Sequence, residues 1–274
     1  MPETEAASPQ VTLFTMTYNQ RDKVLALLRD LADQTYPASR LTVVVLDDGG
    51  TDGTGDVLRE IAPDLPYRLL PLRREHEAHY LTAQRWNECI AAGDPDTQIW
   101  IQVDDVRVRP DFVERHVAWH TGSRLRLVTG AKFEGDEETW SLSSCRRARL
   151  AAPDGVARTG VPWTAAWAAS FSYPATLVEM LSTSDIQRPF DAGMTGYGLH
   201  EVEFGARAQL CGAEIVYDPA VGVFHQNHND RNDHGRGIDH AAQVAARWQN
   251  NARYLCRKHG ITALPPYDVL PSAA

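Results

Sequence analysis

Two pairs of adjacent carboxylates carry the first chemical signal in this chain of 274 residues. Asp47 and Asp48 follow the apolar run Leu41 to Leu46 in LTVVVLDDGGTDGT, and Asp104 and Asp105 follow QIWIQV, Gln98 to Val103. Unpaired negative charge at the end of a buried strand is costly, so each pair has to meet hydrogen-bond donors or cations there. One such pair is ordinarily a turn or helix cap, which aspartate favours. Two pairs ending successive β segments favour a ligand site over two separate caps. The histidine-rich segment VFHQNHNDRNDHGRGIDH adds His225, His228, His234 and His240. Carboxylate oxygen with imidazole nitrogen suits Mn²⁺, with Mg²⁺ as a second choice. Any one of these histidines taken alone is more often solvated or bonded within a core. Glu201 and Glu203 open a helical segment, a place where the macrodipole favours carboxylates whatever their use.

These groups need elements to position them. Val11 to Asn19 is a β-rich run, and Val24, Leu27, Leu28 and Leu31 have the i, i+3, i+4, i+7 spacing of a helix with Asn19 as its expected N-cap. Further strands are expected over Leu41 to Leu46, Tyr67 to Leu72 and Gln98 to Val103, with a helix around Leu81 to Ala92 before the last. Alternating strand and helix predicts an α/β domain with a mostly parallel sheet, whose ligands gather at the carboxyl ends of its strands. Both Asp pairs fall there, and can face one crevice.

The second half is less regular. It offers a strand over Leu125 to Phe133, a loop at VPWTAAW, and a helix from about Glu201 to Cys211 closed by Gly212. A β pair, AEIVYDP with AVGVFH, follows, and then a terminal amphipathic helix from Ala241 to His259 that Gly260 stops. Residues 1–10 are expected to be flexible. Residues 11–228 are expected to form a single domain, with halves at about 11–110 and 111–228, and residues 229–274 a helical extension packed on it.

Bulk composition narrows the function classes. Lys plus Arg number 27 against 36 Asp plus Glu, a net charge of −9, which disfavours nucleic acid and anionic lipid as partners. Hydrophobic residues make up 43%, enough for a well-filled core. The cysteines, Cys89, Cys145, Cys211 and Cys256, form no CxxC pair, so reduced thiols in a cytoplasm are expected rather than a disulfide or zinc framework. Neither a leader nor an apolar run approaching the ~20 residues of a membrane span is visible. A homo-oligomer is left open.

Taken in order, TMTYNQ, QTYP with LTVVVLDDGGTDGT, IWIQVDDVRVRPDF, PFDAGMTGYGLHEVEFGARAQLCGAEIVYDPAVGVFH and RWQNNARYLCRKHG resemble the family-two glycosyltransferases of GT-A fold. The resemblance covers about residues 11–260, and its strength is in the ordered set. Three positions depart from the family pattern. Gly50 stands where Ser is more usual. Counting back from Pro110, the second Asp of the DxD motif falls on Asp105, which leaves Val103 at the first. His200-Glu201 stands where relatives often carry Glu-Asp.

The resemblance implies a metal-dependent, inverting transfer of a sugar from a nucleotide-diphosphate donor, with uracil the expected base and thymine, which offers the same imide edge, as the alternative. Such a transfer must hold the nucleoside, neutralise the departing diphosphate and take a proton from the acceptor. Thr17, Tyr18, Asn19, Asp47 and Asp48 are expected around the nucleoside, Arg85 at the diphosphate, and Asp104 at the ribose or a metal-bound water. Asp105 and His225 are the expected metal ligands, with His228 in reserve; a one-residue shift of the loop exchanges Asp104 and Asp105. Glu201 is the expected general base. Trp163, Trp167, His200 and Glu203 are assigned to the acceptor side, and Gly193, Gly196 and Gly198 to a pliable loop ahead of Glu201. The acceptor is expected to be a natural product, peptide or saccharide. Three other readings stay open. A sugar-phosphate nucleotidyltransferase would carry a glycine-rich basic loop after the first strand, where TMTYNQRDK has no glycine. A catalytically impaired nucleotide-sugar-binding relative accords with Val103 and His200. A zinc hydrolase is the weakest, since no HExxH spacing occurs.

Overall fold

The computed structural model describes residues 8–77, 81–134, 141–142, 155–166, 169–182, 188–226 and 239–262. In chain order the elements are β1 (Val11–Thr17), α1 (Arg21–Ala32), β2 (Leu41–Asp47), α2 (Thr54–Ile61), β3 (Arg68–Arg73), α3 (Thr82–Ala92), β4 (Ile99–Val103), β5 (Val106–Arg107) and α4 (Phe112–Trp119). There follow β6 (Arg126–Glu134), β7 (Ser141–Leu142), β8 (Arg158–Thr159), β9 (Ser170–Pro174), α5 (Ala175–Leu181), α6 (His200–Leu210), β10 (Glu214–His225) and α7 (Asp239–His259). One sheet carries the strands in the order β3-β2-β1-β4-β9-β6-β10-β5, with β7 on β6 and β8 on β10.

The first half is parallel, as the alternation of elements requires: β2 and β4 flank β1, and β3 continues outward from β2. β2 is buried along its whole length, which is why its apolar residues run without polar interruption. Successive side chains face opposite layers. Phe14, Val44, Leu46 and Trp100 join one core with Trp86 of α3 and Phe204 of α6. Leu13, Val43, Val45 and Ile101 join the other, with Val24, Leu27, Leu28 and Leu31 of α1 and Phe112 and Val113 of α4. The helical spacing read in α1 is therefore its buried face.

β9 lies antiparallel between β4 and β6 and joins the two halves. An aromatic cluster seals that junction: Phe204 of α6 lies 4.7 Å from Tyr173 of β9 and 4.8 Å from Phe190, and Phe190 lies 5.0 Å from Trp86. His116 of α4 is fully buried against Ser170 and Ser172 of β9, at 3.0 and 2.8 Å. Burial holds its imidazole neutral, well below the ordinary histidine range.

Two expectations are corrected. AEIVYDP and AVGVFH are a single strand, β10, and both segments pair with β6 in parallel. Between them the chain bulges, advancing from Asp218 to Val223 while β6 advances only from Gly130 to Lys132. The Asp218 carboxylate turns the bulge by accepting the Ala220 N–H at 2.8 Å. Gly130 leaves room for it, because a Cβ there would meet the Val221 carbonyl oxygen at 2.2 Å. Asn19 is not the cap of α1; that position is Gln20, and Asn19 has φ +52°. Its carboxamide instead accepts the Thr51 N–H at 2.7 Å, stapling the turn after β1 to the turn after β2.

Candidate functional site

The two aspartates after β2 do different work. Asp47 still belongs to the strand, paired with Thr17, and is fully buried. It closes its own turn by accepting the Gly50 N–H at 2.7 Å. Burial raises its pKa, and the Gly50 N–H and Arg73 counter only part of that. Asp47 thus holds the turn rather than facing a crevice, which corrects its expected place at the nucleoside. Glycine at position 50 follows from the same packing, because a Cβ would come 2.9 Å from Asp47 Oδ1 and 3.2 Å from the Asn19 nitrogen.

Asp48 is the first residue beyond the strand and keeps some exposure, with its N–H bonded to the Thr17 carbonyl at 2.9 Å. Arg85 donates to Asp48 Oδ1 at 2.7 Å, and His76 Nδ1 lies 3.3 Å from Oδ2. Arg85 is also bonded to Glu88 at 3.2 Å and to the Glu75 carbonyl at 3.1 Å, and its side chain is only 5% exposed. The guanidinium therefore supports Asp48 from beneath and does not reach outward to a diphosphate, a second correction. Tyr18 stacks on the His76 ring, centroids 4.1 Å apart and planes 20° apart, making an aromatic shelf beside the carboxylate. A carboxylate held by a guanidinium and an imidazole next to a flat ring is suited to planar groups bearing N–H or O–H donors.

The end of β4 makes a second centre. Val103 is buried in the core, and the Asp104 carbonyl accepts from Thr15 Oγ1 at 3.3 Å. β5 pairs antiparallel with the end of β10, setting His225 opposite Val106. That register brings His225 Nε2 to 3.5 Å from Asp105 Oδ1, across more than a hundred residues of chain. Lys23, in the first turn of α1, lies 3.6 Å from Asp105 Oδ2. Gln226 locks the arrangement, its N–H on the Asp105 carbonyl at 3.2 Å and its amide on the Lys23 and Val106 carbonyls. Among the described residues no group of three or more His, Cys, Asp or Glu converges. An oxygen and a nitrogen at 3.5 Å fit neighbouring positions on an octahedral cation, whose donors stand ~3 Å apart at bond lengths of about 2.1 Å.

Glu201 occupies the second position of α6, behind Leu199, which has φ +69°. A left-handed leucine costs about 1–2 kcal/mol, so the surroundings must hold it. His200 and Glu203 do not face a cleft, which corrects their acceptor-side assignment. His200 is 2% exposed, bonded to the Met194 carbonyl at 3.2 Å and edge-on to Trp86 at 5.6 Å, and burial lowers its pKa to about 4. Glu203 is completely buried, with Arg207 at 2.8 Å, Lys258 at 2.5 Å and His259 at 3.3 Å. Burial alone would raise its pKa, but the hydrogen bonds from His259, Arg207 and Lys258 outweigh that and pull it to about 2. Trp163 is partly buried, its carbonyl packed close to Gly205 of α6. Trp167, His228 and His234 lie outside the described residues.

Three consecutive residues of α3 connect the centres. Arg85 holds Asp48, Trp86 packs on His200, and Asn87 exchanges hydrogen bonds of 2.8 and 3.0 Å with the backbone of Phe190. The turn after β2 and the loop leading to Glu201 are therefore referenced to the same helix. Sequence reasoning missed His76 and Lys23. His76 follows β3 and so obeys the strand-end rule; Lys23 had no signal beyond its nearness to the turn after β1.

The sequence matches the family described as Glycosyl transferase family 2 over residues 12–179. It is 26% identical to validoxylamine A glucosyltransferase of Streptomyces hygroscopicus subsp. jinggangensis (strain 5008), over 94% of this chain and 63% of that protein. With Glycosyltransferase AglE of Haloferax volcanii it shares 33% identity over 44% of this chain and 39% of that protein. The chain thus spans less than two thirds of the length of either relative. The mannosyltransferase PcManGT from Pyrobaculum calidifontis, solved with GDP-Man and Mn²⁺, superposes with a TM-score of 0.61 at 19% identity, over 96% of this chain and 68% of that one. GalNAc-T7, solved with UDP, GalNAc and Mn²⁺, superposes at 0.60 and 15% identity, over 94% and 52%. These likenesses establish the GT-A fold. The match over most of the chain establishes the rest: the protein belongs to glycosyl transferase family 2.

Proposed function

We propose that this protein is a metal-dependent, inverting glycosyltransferase that moves a sugar from a nucleotide-diphosphate donor, a UDP-sugar, to an acceptor by single displacement. The observation that carries the proposal is the placement of Asp48 and the Asp105–His225 pair just past β2 and β4, the two strands that flank β1 in parallel. Ligands of open α/β sheets sit at that edge. The uracil imide and ribose hydroxyls supply the donors that Asp48 accepts, while Tyr18 and His76 offer the ring face. Asp105 and His225 would hold a divalent cation, which supplies Lewis-acid stabilisation to the departing diphosphate. Lys23 adds a fixed positive charge beside them. Glu201, at the positive end of a helix, accepts the proton of the attacking acceptor group. Complexes of structural neighbours with UDP or GDP-Man and Mn²⁺ support the choice of donor class and metal.

The test is nucleotide release. Purified protein with Mn²⁺ is expected to liberate UDP slowly from a matching UDP-sugar, with GDP-mannose run in parallel to judge the base. Glu201→Gln is expected to lower transfer at least ~100-fold with donor affinity within a few-fold, since general-base catalysis contributes about 10²–10⁴. Release from GDP-mannose alone would replace uracil by guanine, and normal turnover in the variant would remove Glu201 from its role.

A further inference from the structure

The loop that delivers Glu201 is built on two successive left-handed residues, Gly198 at φ +70° and Leu199 at φ +69°. The Leu199 carbonyl accepts the Glu203 N–H at 3.0 Å, so this residue sets the direction in which α6 starts. Glycine tolerates such a conformation; leucine does not. Something outside the loop has to hold it, and α7 is packed there. Asn251 of α7 is 2% exposed, and its carboxamide brackets the loop, accepting the Gly196 N–H at 2.9 Å and donating to the Gly198 carbonyl at 2.7 Å. The fit is close: a Cβ on Gly196 would come 2.3 Å from the Arg247 carbonyl, and one on Gly198 would lie 3.3 Å from the Trp248 ring. Leu255 of α7, fully buried, packs with Met194, Leu199 and Val202. One and two turns on, Tyr254 and Lys258 bond Asp191 at 2.9 and 2.7 Å, and Lys258 reaches Glu203 as well. Residues 247, 248, 251, 254, 255 and 258 share a single helical face, and the loop from 191 to 199 lies along it.

We propose that Asn251 is a positioning residue for Glu201. Its carboxamide holds residues 196–199 in the left-handed turn, and thereby fixes the angle at which the first turn of α6 presents the carboxylate. The inference rests on the reading of Glu201 as the general base, and it adds a determinant half a hundred residues away in a helix that carries none of the proposed ligands. What Asn251 holds is a conformation that leucine resists, and this supplies a test that a merely structural role would not pass. Glycine at position 199 adopts the same φ without strain, so Leu199→Gly should make the bracket dispensable.

The experiment compares wild type, Asn251→Ala, Leu199→Gly and the double variant, with hydrogen exchange of residues 194–202, UDP affinity in Mn²⁺, and kcat for transfer or donor hydrolysis. Asn251→Ala is expected to lose at least ~10-fold in kcat with UDP affinity within about two-fold, and to exchange the Gly196 amide faster. Leu199→Gly empties a buried leucine site and is expected to lower the melting temperature. What is read is therefore the effect of adding Asn251→Ala: at least ~10-fold in kcat in the wild-type background and under about three-fold in the Leu199→Gly background. Should Asn251→Ala fail to fold, Asn251→Asp stands in: it keeps the acceptor for the Gly196 N–H, loses the donor to the Gly198 carbonyl, and is expected to lose kcat with Gly196 still protected. An Asn251 variant with wild-type kcat, or an Asn251→Ala loss as large in a folded Leu199→Gly background as in the wild type, overturns the inference. A wild-type protein that turns over no nucleotide sugar would instead overturn the functional reading beneath it, an outcome distinct from either.

Discussion

At the scale of single residues, the proposed site separates groups assigned to a ligand from groups that hold those in place. Arg85 belongs to the second kind. Its 2.7 Å bond to Asp48 keeps that carboxylate aimed, while its own side chain stays buried. Arg85→Met leaves His76 as the nearer partner of Asp48 and Glu88 to Arg74 and Gln84; UDP affinity is expected to fall ~10-fold or more, with kcat at saturating donor changed far less. Isothermal titration decides it, and unaltered affinity would remove Arg85 from the donor site. At the other centre, Asp105→Ala is expected to abolish the Mn²⁺ dependence of donor binding, and an unchanged calorimetric Mn²⁺ titration would refute Asp105 as a ligand. Which aspartate of each pair faces outward was only half legible in the sequence. Both pairs are visible as strand ends, but whether the first aspartate closes the strand, as Asp47 does, depends on where pairing stops. His76 reaches Asp48 because the turn at Gly49, with φ +80°, lies against its backbone, and nothing in the order of residue types announces that contact.

At the scale of elements, α6 and α7 are tied by one buried carboxylate. Glu203 with Arg207 is a helical i, i+4 pair that could be read from spacing, whereas Lys258 and His259 arrive from another element and could not. The pKa of Glu203 is held near 2, below its ordinary 4.5. A depressed carboxylate stabilises the fold fully above the unfolded value and loses that contribution as pH falls from about 4.5 towards 2. Glu203→Gln is therefore expected to cost about 3 kcal/mol at pH 7, a difference that shrinks steadily below pH ~4.5. Urea midpoints at pH 7 and pH 3 check this, and an equal gap at both values would argue against the ion pairs as its cause. β10 shows the opposite limit of legibility. AEIVYDP and AVGVFH read as a β pair, yet they are one strand with a bulge that Gly130 accommodates from the neighbouring strand.

At the scale of the whole molecule, the alternating first half was legible because parallel strands buried on both faces need unbroken apolar runs, and helices covering them need a 3.6-residue rhythm. The second half was not, because its centre is β9, five residues whose role comes from partners on either side. Ser170 and Ser172 look like surface positions in sequence and are wholly buried beneath His116. No described helix is long and apolar enough to cross a membrane. Cys89, Cys211 and Cys256 are free thiols.

Arg85, Trp86 and Asn87 answer to three different neighbours in three consecutive positions: the turn after β2, the first residue of α6 and the loop at Phe190. Such a splice makes the two halves of the protein poor modules. A hybrid that took its donor-side sequence from one relative and its acceptor-side sequence from another would inherit Arg85 matched to its aspartate but Trp86 and Asn87 facing strangers. Drift at any of the three positions has to be answered on both sides of the molecule at once, so the two halves are bound to change together.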